Sequence, residues 1–334
     1  MLRPSLAAIM SAVISGSAFA EITPQAQRLA ERGIAASTAF PGYASLCDLE
    51  ARIRDVNVPR SPGAQRSTAS RSARETAPPE PVPPTQVFDN LWFLGTPSVT
   101  AWLYGTDDGY VLIDGLNSDE EAAEIILGGM ATLGLDPADI QAVLVTHGHG
   151  DHYGGADFIA RELGAEVLMS AQDWDLVERL GTHPRFGPPP ERGGVVTDGQ
   201  TLHFGGSKLT MHLTPGHTPG TVSPVLEVTD GEENHVAILW GGTGFNFGQT
   251  RWKFETYAES AARMARISEL AGVDVVLSGH PRRDGTLPRL AALTERTEDQ
   301  PHPFVRGSGS LELFTVLENC ARAQAERFSV PDHE

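Results

Sequence analysis

The chain has 334 residues, 40% apolar and 20% charged, enough to bury a sizeable core in one large domain or two small ones. Its formal net charge of −18 argues against a nucleic-acid polyanion as partner. The imbalance sits in the body: residues 86–334 carry −20, against +1 in 1–20, −1 in 21–58 and +2 in 59–85. An acidic body that takes an anionic substrate needs a local positive device, and a metal cluster is one.

In chain order, residues 1–20 read as an export signal. Arg3 gives a small positive start, Leu6 to Ile14 is an apolar run, and Ala18-Phe19-Ala20 is an A-x-A cleavage site before the acidic Glu21. The alternative is an uncleaved anchor, but the apolar core is too short for a comfortable span. The expectation is a mature periplasmic or secreted protein with no stable membrane insertion.

Residues 24–57 mix helical spacing with a break at Pro41-Gly42, and 59–85 are rich in Pro, Ser, Ala and Arg. The latter composition cannot bury a core. Residues 21–85 are therefore expected to form an N-terminal arm and linker, with ordered structure beginning near Thr85. The two cysteines, Cys47 and Cys320, either tie this segment to a C-terminal helix as a disulfide or stay as buried thiols.

From there the pattern changes. Val87–Leu94, Val99–Tyr104 and Tyr110–Ile113 are β-rich runs punctuated by Gly and Asp. Ser118–Leu133 has helical spacing, with Ser118 as N-cap and Glu120 and Glu121 in the first turn. Ile140–Thr146 is a continuous apolar strand, followed by a helix over Tyr153–Leu163 and a strand over Glu166–Met169. Residues 181–198 read as loop. Strands resume at Leu202–Phe204, Lys208–Thr214, Thr221–Val228 and His235–Trp240, then a helix over Tyr257–Ala271, a buried strand Val273–Leu277 and two closing helical stretches. Strand clusters alternating with helices predict an α/β, or layered α+β, domain over 86–300 and a C-terminal helical segment over 301–334.

The chemistry centres on Thr146-His147-Gly148-His149-Gly150-Asp151-His152, directly after that apolar strand. His147 and His149 are two apart, so in extended chain they point the same way. Gly148 and Gly150 let the backbone turn tightly and bring Asp151 and His152 round. Imidazole and carboxylate suit zinc. A surface loop with clustered histidines is the plainer alternative, but three of the chain's 11 histidines within six positions is improbable by chance.

His-x-His-x-Asp-His after an apolar strand resembles the signature of the metallo-β-lactamase superfamily, over about residues 87–285. The resemblance implies an αββα sandwich with a metal cluster at one edge, and leaves 21–85 unexplained. Thr214-Pro215-Gly216-His217-Thr218-Pro219-Gly220 is similar to the superfamily's third-histidine loop, and Ser278-Gly279-His280-Pro281 to its final histidine motif. Asp114, in Leu112-Ile113-Asp114-Gly115, matches a strand-end aspartate, implied to orient a ligand histidine. Many hydrolases of the superfamily carry a bridging aspartate after a late apolar strand. Here that segment reads Trp240-Gly241-Gly242-Thr243-Gly244, with Gly242 at the aspartate's place. The remaining set is similar to the all-histidine third subclass of metallo-β-lactamases.

That resemblance implies two Zn2+ ions, one held by His147, His149 and His217, the other by Asp151, His152 and His280. It implies a zinc-dependent hydrolase that opens the β-lactam amide of a small-molecule substrate with a zinc-bound hydroxide, with Asp151 orienting the nucleophile. Thr243, Thr221, Ser223 and Asn246 are expected substrate contacts, and Phe245 stands where a second hydroxyl is expected. The alternatives are a lactone, thioester or phosphodiester hydrolase of the same fold and a secreted metal-binding protein without turnover. Nothing in the sequence fixes an oligomeric state.

Overall fold

A computed structural model describes residues 22–59, 80–297 and 299–328. The export signal read in residues 1–20 and most of the Pro/Ser/Arg-rich stretch lie outside them.

Two sheets face each other. The first has seven strands in sequential order: β1 (Val82–Phe88), β2 (Leu91–Gly95), β3 (Thr100–Thr106), β4 (Gly109–Ile113), β5 (Ile140–Leu144), β6 (Glu166–Ser170) and β7 (Gly194–Val196). The second has the order β12-β11-β10-β9-β8, built from β8 (Thr201–Phe204), β9 (Ser207–Leu213), β10 (Val222–Asp230), β11 (Glu233–Trp240) and β12 (Val273–Ser278). Pairing is antiparallel up to β4 and parallel from β4 to β7, and β11 and β12 are parallel. The run 87–94 is not one strand. It breaks at Asp89-Asn90, a two-residue turn that returns β2 against β1. β7 falls inside the stretch expected to be loop.

Seven longer helical segments complete the layers: α1 (Pro24–Ala36), α2 (residues 119–132, with π-helical turns over Ala122–Leu127), α3 (Ala156–Leu163), α4 (Ala171–Leu180), α5 (Arg251–Ala271), α6 (Thr286–Thr294) and α7 (Glu312–Ala325). Ser118 caps α2 by accepting from the Glu121 N–H at 3.3 Å. One apolar cluster lies between the sheets, with Phe93, Trp102, Leu144, Met211 and Leu277. A second joins the first sheet to α2–α4, with Leu103, Val143, Ile126 and Trp174. A third packs α5 and α7 on the second sheet, with Trp240, Phe254 and Phe314. The result is the layered αββα arrangement expected from the sequence.

The third cluster overturns one expectation. Ordered structure does not begin near Thr85: Leu29, Phe40, Tyr43, Leu46 and Ile53 are buried in this cluster. Cys47 and Cys320 form a disulfide between the short 3-10 segment Pro41–Cys47 and α7. The described part of the N-terminal region is therefore a structural layer rather than an arm. Among the described residues no helix is long and apolar enough to cross a membrane.

Candidate metal centre

The parallel strands deliver the site. β4 ends at Ile113 before Asp114, β5 at Leu144 before Thr146 and His147, and β12 at Ser278 before His280, all at the carboxyl end of their sheets. The β9–β10 turn adds His217, and its backbone closes with Thr214 N–H to the Thr221 carbonyl at 2.7 Å. The helical turn Gly150–Tyr153 brings Asp151 and His152 round behind the two-glycine loop. Gly150 is needed there because a Cβ would run into the Phe186 ring.

Two trios result. His147, His149 and His217 offer ligand atoms within 4.8 Å of one another, and so do Asp151, His152 and His280. The first trio is wholly buried, whereas the second keeps Asp151 and His280 partly open.

The orientation of each ring is legible from its outer nitrogen. His152 Nδ1–H donates to Asp114 Oδ2 at 2.7 Å, His217 Nδ1–H to the Gly244 carbonyl at 2.7 Å, and His280 Nδ1–H to the Ser98 carbonyl at 2.8 Å. The Thr146 hydroxyl donates to Asp114, so its oxygen is free to accept from His147 Nδ1, 3.2 Å away. These four rings therefore turn Nε2 inward. His147 and His217 oppose their Nε2 atoms at 3.1 Å, and His152 and His280 theirs at 3.2 Å. His149 is reversed: its Nε2 meets Asn57 Oδ1 at 2.7 Å, leaving Nδ1 as the inward atom.

Nitrogen lone pairs facing each other at 3.1–3.2 Å in a buried pocket lack a proton between them unless one ring is charged. Burial opposes that charge. It pushes His147 and His217 well below the usual histidine range, takes His149 to about 4 and lowers His280. Burial pulls on His152 too, but Asp114 and Asp151 outweigh it and raise the ring. Burial would raise Asp151, yet His152, His280 and His149 around it hold the carboxyl well below the usual carboxylate range. Neutral imidazoles with outer N–H groups engaged and inner lone pairs converging, together with one ionised carboxylate, are the donor set of a divalent cation. The residues fit a dinuclear metal centre.

Asp114 is 1% exposed and serves both trios, touching His152 directly and His147 through Thr146. Its backbone has φ 67°, a left-handed conformation unfavourable for a residue with a Cβ, and nearby Leu116 has φ 61°. The buried carboxylate is held there by the Thr146 N–H at 2.8 Å.

Two residues of the site lie outside the sequence expectations. Asp173 is fully buried on α4 and accepts from the Gly148 N–H at 2.8 Å, the Gly220 N–H at 2.7 Å and the Thr218 hydroxyl at 2.6 Å. One carboxylate thus staples the His147–His149 loop to the His217 loop. Burial raises its pKa to about 6 despite these three donors. Asn57, from the N-terminal layer, is the other.

The expected substrate contacts need correction. Thr221 and Ser223 are 0% exposed, and their hydroxyls close the turn: Thr221 Oγ1 lies 2.7 Å from Thr218 Oγ1, and Ser223 Oγ 2.8 Å from Thr214 Oγ1. Thr243 is buried as well, at 3%. Asn246 alone of the four is partly open, and its carbonyl accepts from the Val56 N–H at 2.8 Å. Phe245 packs its ring edge-on to Tyr257 and Phe254 rather than standing as a polar contact. At Gly242 a Cβ would lie 2.5 Å from His217 Cβ, so this backbone admits no side chain there.

The family model described as the metallo-beta-lactamase superfamily matches residues 94–230. Among curated proteins the chain is 29% identical over 172 residues to a hydroxyacylglutathione hydrolase of Acidiphilium cryptum, covering 47% of this chain and 63% of that protein. It is 31% identical over 180 residues to one of Anaeromyxobacter dehalogenans, covering 49% and 61%. The match therefore spans somewhat under two thirds of these relatives' length. Among solved structures it resembles a subclass B3 metallo-beta-lactamase of Bradyrhizobium japonicum, with a TM-score of 0.59 at 27% identity over 70% of this chain and 90% of that one. A metallo-beta-lactamase of Cronobacter sakazakii gives a TM-score of 0.60 at 25% identity over 74% and 88%. The family model matched over residues 94–230, the αββα layers and the likeness to these structures together show that this chain has the metallo-β-lactamase fold.

Proposed function

We propose that this chain is an exported zinc hydrolase that opens the amide of β-lactams. The observation that carries the reading is Gly242. The two trios are complete without a carboxylate bridging them, and the backbone at Gly242 has no room for one beside His217. A set of five histidines and one aspartate fits the all-histidine subclass better than thioester hydrolases with a bridging aspartate. The likeness to β-lactamase structures over about nine tenths of their length supports the same reading.

His147, His149 and His217 would hold one zinc, and Asp151, His152 and His280 the other. Zinc held there would supply hydroxide at neutral pH and a Lewis acid for the scissile carbonyl. The protein's part is to aim the five rings through the outer-nitrogen bonds already described, while burial opposes the charged form of His147, His149, His217 and His280. Asp151 Oδ2 lies 3.8 Å from His152 Nε2 and 3.9 Å from His280 Nε2, and its side chain is 32% exposed. It is the ionised, partly open group able to accept a hydrogen bond from the nucleophile. Export is supported by the leader-like residues 1–20 and by the Cys47–Cys320 disulfide, which needs an oxidising compartment.

The second reading is thioester hydrolysis, favoured by the 29–31% identity to hydroxyacylglutathione hydrolases. Purified protein is to be assayed with a chromogenic cephalosporin and with an S-hydroxyacylglutathione, each with and without chelator. Chelator-sensitive opening of the cephalosporin is expected. Thioester cleavage without β-lactam turnover would establish the second reading and overturn the first.

A further inference from the structure

The N-terminal layer reaches the metal centre at one residue. Asn57 is 8% exposed and lies outside the stretch that matches the superfamily model. Both ends of its amide are engaged. Nδ2 donates to the His217 carbonyl at 2.8 Å, while Oδ1 faces His149 Nε2 at 2.7 Å. It thus touches two ligands of the first trio from a position 92 residues before one and 160 before the other.

The approach is built, not incidental. Asp55 Oδ1 accepts the Asn57 N–H at 2.9 Å, a local turn that sets the residue's backbone. The segment also pairs with the loop after β11: the Val56 N–H donates to Asn246 O at 2.8 Å, and the Gly248 N–H to Arg54 O at 2.9 Å. Lys253 Nζ reaches Asp55 Oδ2 at 2.9 Å, and Arg179 donates to the Asn57 carbonyl at 3.4 Å. Upstream, the disulfide fixes Cys47 to α7.

We propose that Asn57 is a positioning residue for the first metal, and that the N-terminal layer is an integral part of the metal centre. Its Oδ1 accepts the Nε2 proton of His149 and so fixes the one ring of the five that presents Nδ1 inward. Without that acceptor the His149 proton is free to shift to Nδ1, and the lone pair then points away from the metal.

The inference rests on the metal-binding reading, and the test separates the two. Wild type, Asn57→Ala and Asn57→Asp are compared for zinc stoichiometry and affinity by competition with a chromophoric chelator. Circular dichroism and melting temperature check the fold, and long-range 1H–15N spectra of the imidazoles report the tautomer. Wild type binds two zincs; if it binds none, the metal reading fails. Asn57→Ala loses 10–100-fold in affinity at one of the two sites, the range typical of removing a ligand's hydrogen-bond partner, and its spectra show one ring with a changed tautomer. Asn57→Asp keeps the acceptor for His149 while losing the donor to His217, so it restores the tautomer and most of the affinity. Two zincs bound by Asn57→Ala with affinities within about twofold of wild type, or a folded Asn57→Asp as weak as Asn57→Ala, would overturn the proposal while leaving the metal reading intact.

Discussion

The two ligand trios share strands, loops and Asp114, yet they are built on opposite electrostatic plans. The first, His147, His149 and His217, is buried and uncharged, and burial lowers the pKa of all three rings. The second mixes signs: Asp151 is ionised, His152 is raised and His280 is lowered, with two of the three partly open. Their supports differ as well. The first is clamped from outside its own strands, by Asp173 on α4 and Asn57 in the N-terminal layer. The second hangs on strand ends. Ser278 Oγ accepts the His280 N–H at 3.2 Å and donates to buried Asp284 at 2.8 Å, and Asp114 holds His152. A neutral, fully enclosed trio suits a metal that stays put, and an open one with a carboxylate suits a metal that meets substrate and solvent.

Removing one ligand from each trio tests this division most severely. His217→Ala is predicted to lower the metal content from two to one and cut hydrolysis by about a thousandfold or more, the several kcal/mol that a Lewis-acid metal supplies. His280→Ala is predicted to lose the other metal and leave the first trio's affinity unchanged. Zinc titration by competition reads both. Unchanged stoichiometry in either variant breaks the assignment for that trio.

The disulfide is the next lever. It closes a separation of 273 residues and pins the layer that carries Asn57. Cys47→Ser is predicted to cost about 2–5 kcal/mol in unfolding free energy, read by denaturant titration of the metal-loaded protein. Metal loss in this variant is expected at the first trio before the second; simultaneous loss would mean that the N-terminal layer supports both equally.

Asp114 and Asp173 sharpen the comparison at smaller scale. Asp114→Asn is predicted to weaken metal binding roughly 10–100-fold at both trios, because the carboxylate serves His152 directly and His147 through Thr146. Asp173→Ala is predicted to weaken the first trio alone, since its three donors belong to the loops around His147, His149 and His217. Isothermal titration of zinc into the chelated variants distinguishes one affected site from two.

Much of this centre was legible in the sequence because ligands fall where local patterns change. His147 to His152 follow an apolar strand within six residues, and His217 and His280 stand in Pro- and Gly-bearing turns after strands. The supports were not legible. Asp173 sits in the first turn of α4 behind its N-cap Ser170, where an acid is ordinary, and its partners lie 25 to 47 residues away. Asn57 falls in a stretch whose apolar residues are sparse and interrupted by 3-10 turns; its partner helix α7 lies some 270 residues on, so no local periodicity marks the layer as buried. The expected contacts at Thr221 and Ser223 fail for the same reason: a hydroxyl beside a ligand loop reads alike whether it faces solvent or closes the turn, and here it closes the turn.

The remaining prediction is the pH dependence of the metal-free protein. Unfolded histidines titrate near 6.5, whereas burial keeps His147, His149, His217 and His280 neutral to lower pH in the folded state. Below pH 6.5 the unfolded chain therefore takes up protons that the folded chain refuses, and stability falls as the pH drops toward about 4, where His149 itself protonates. Each such ring contributes a slope of up to about 1.4 kcal/mol per pH unit. In the second trio the effects oppose: the raised His152 contributes stability below 6.5 that is lost as pH rises through its folded value, against the loss at His280. All three rings of the first trio act in one direction. Melting temperatures of chelated protein should therefore fall steadily between pH 6.5 and 4.5, and His149→Gln should flatten that fall by about one ring's slope, while His152→Gln leaves it nearly unchanged and alters the profile only above pH 6.5. A flat profile in the wild type, or the same change in both variants, would mean that the two trios do not differ in charge as the structure implies.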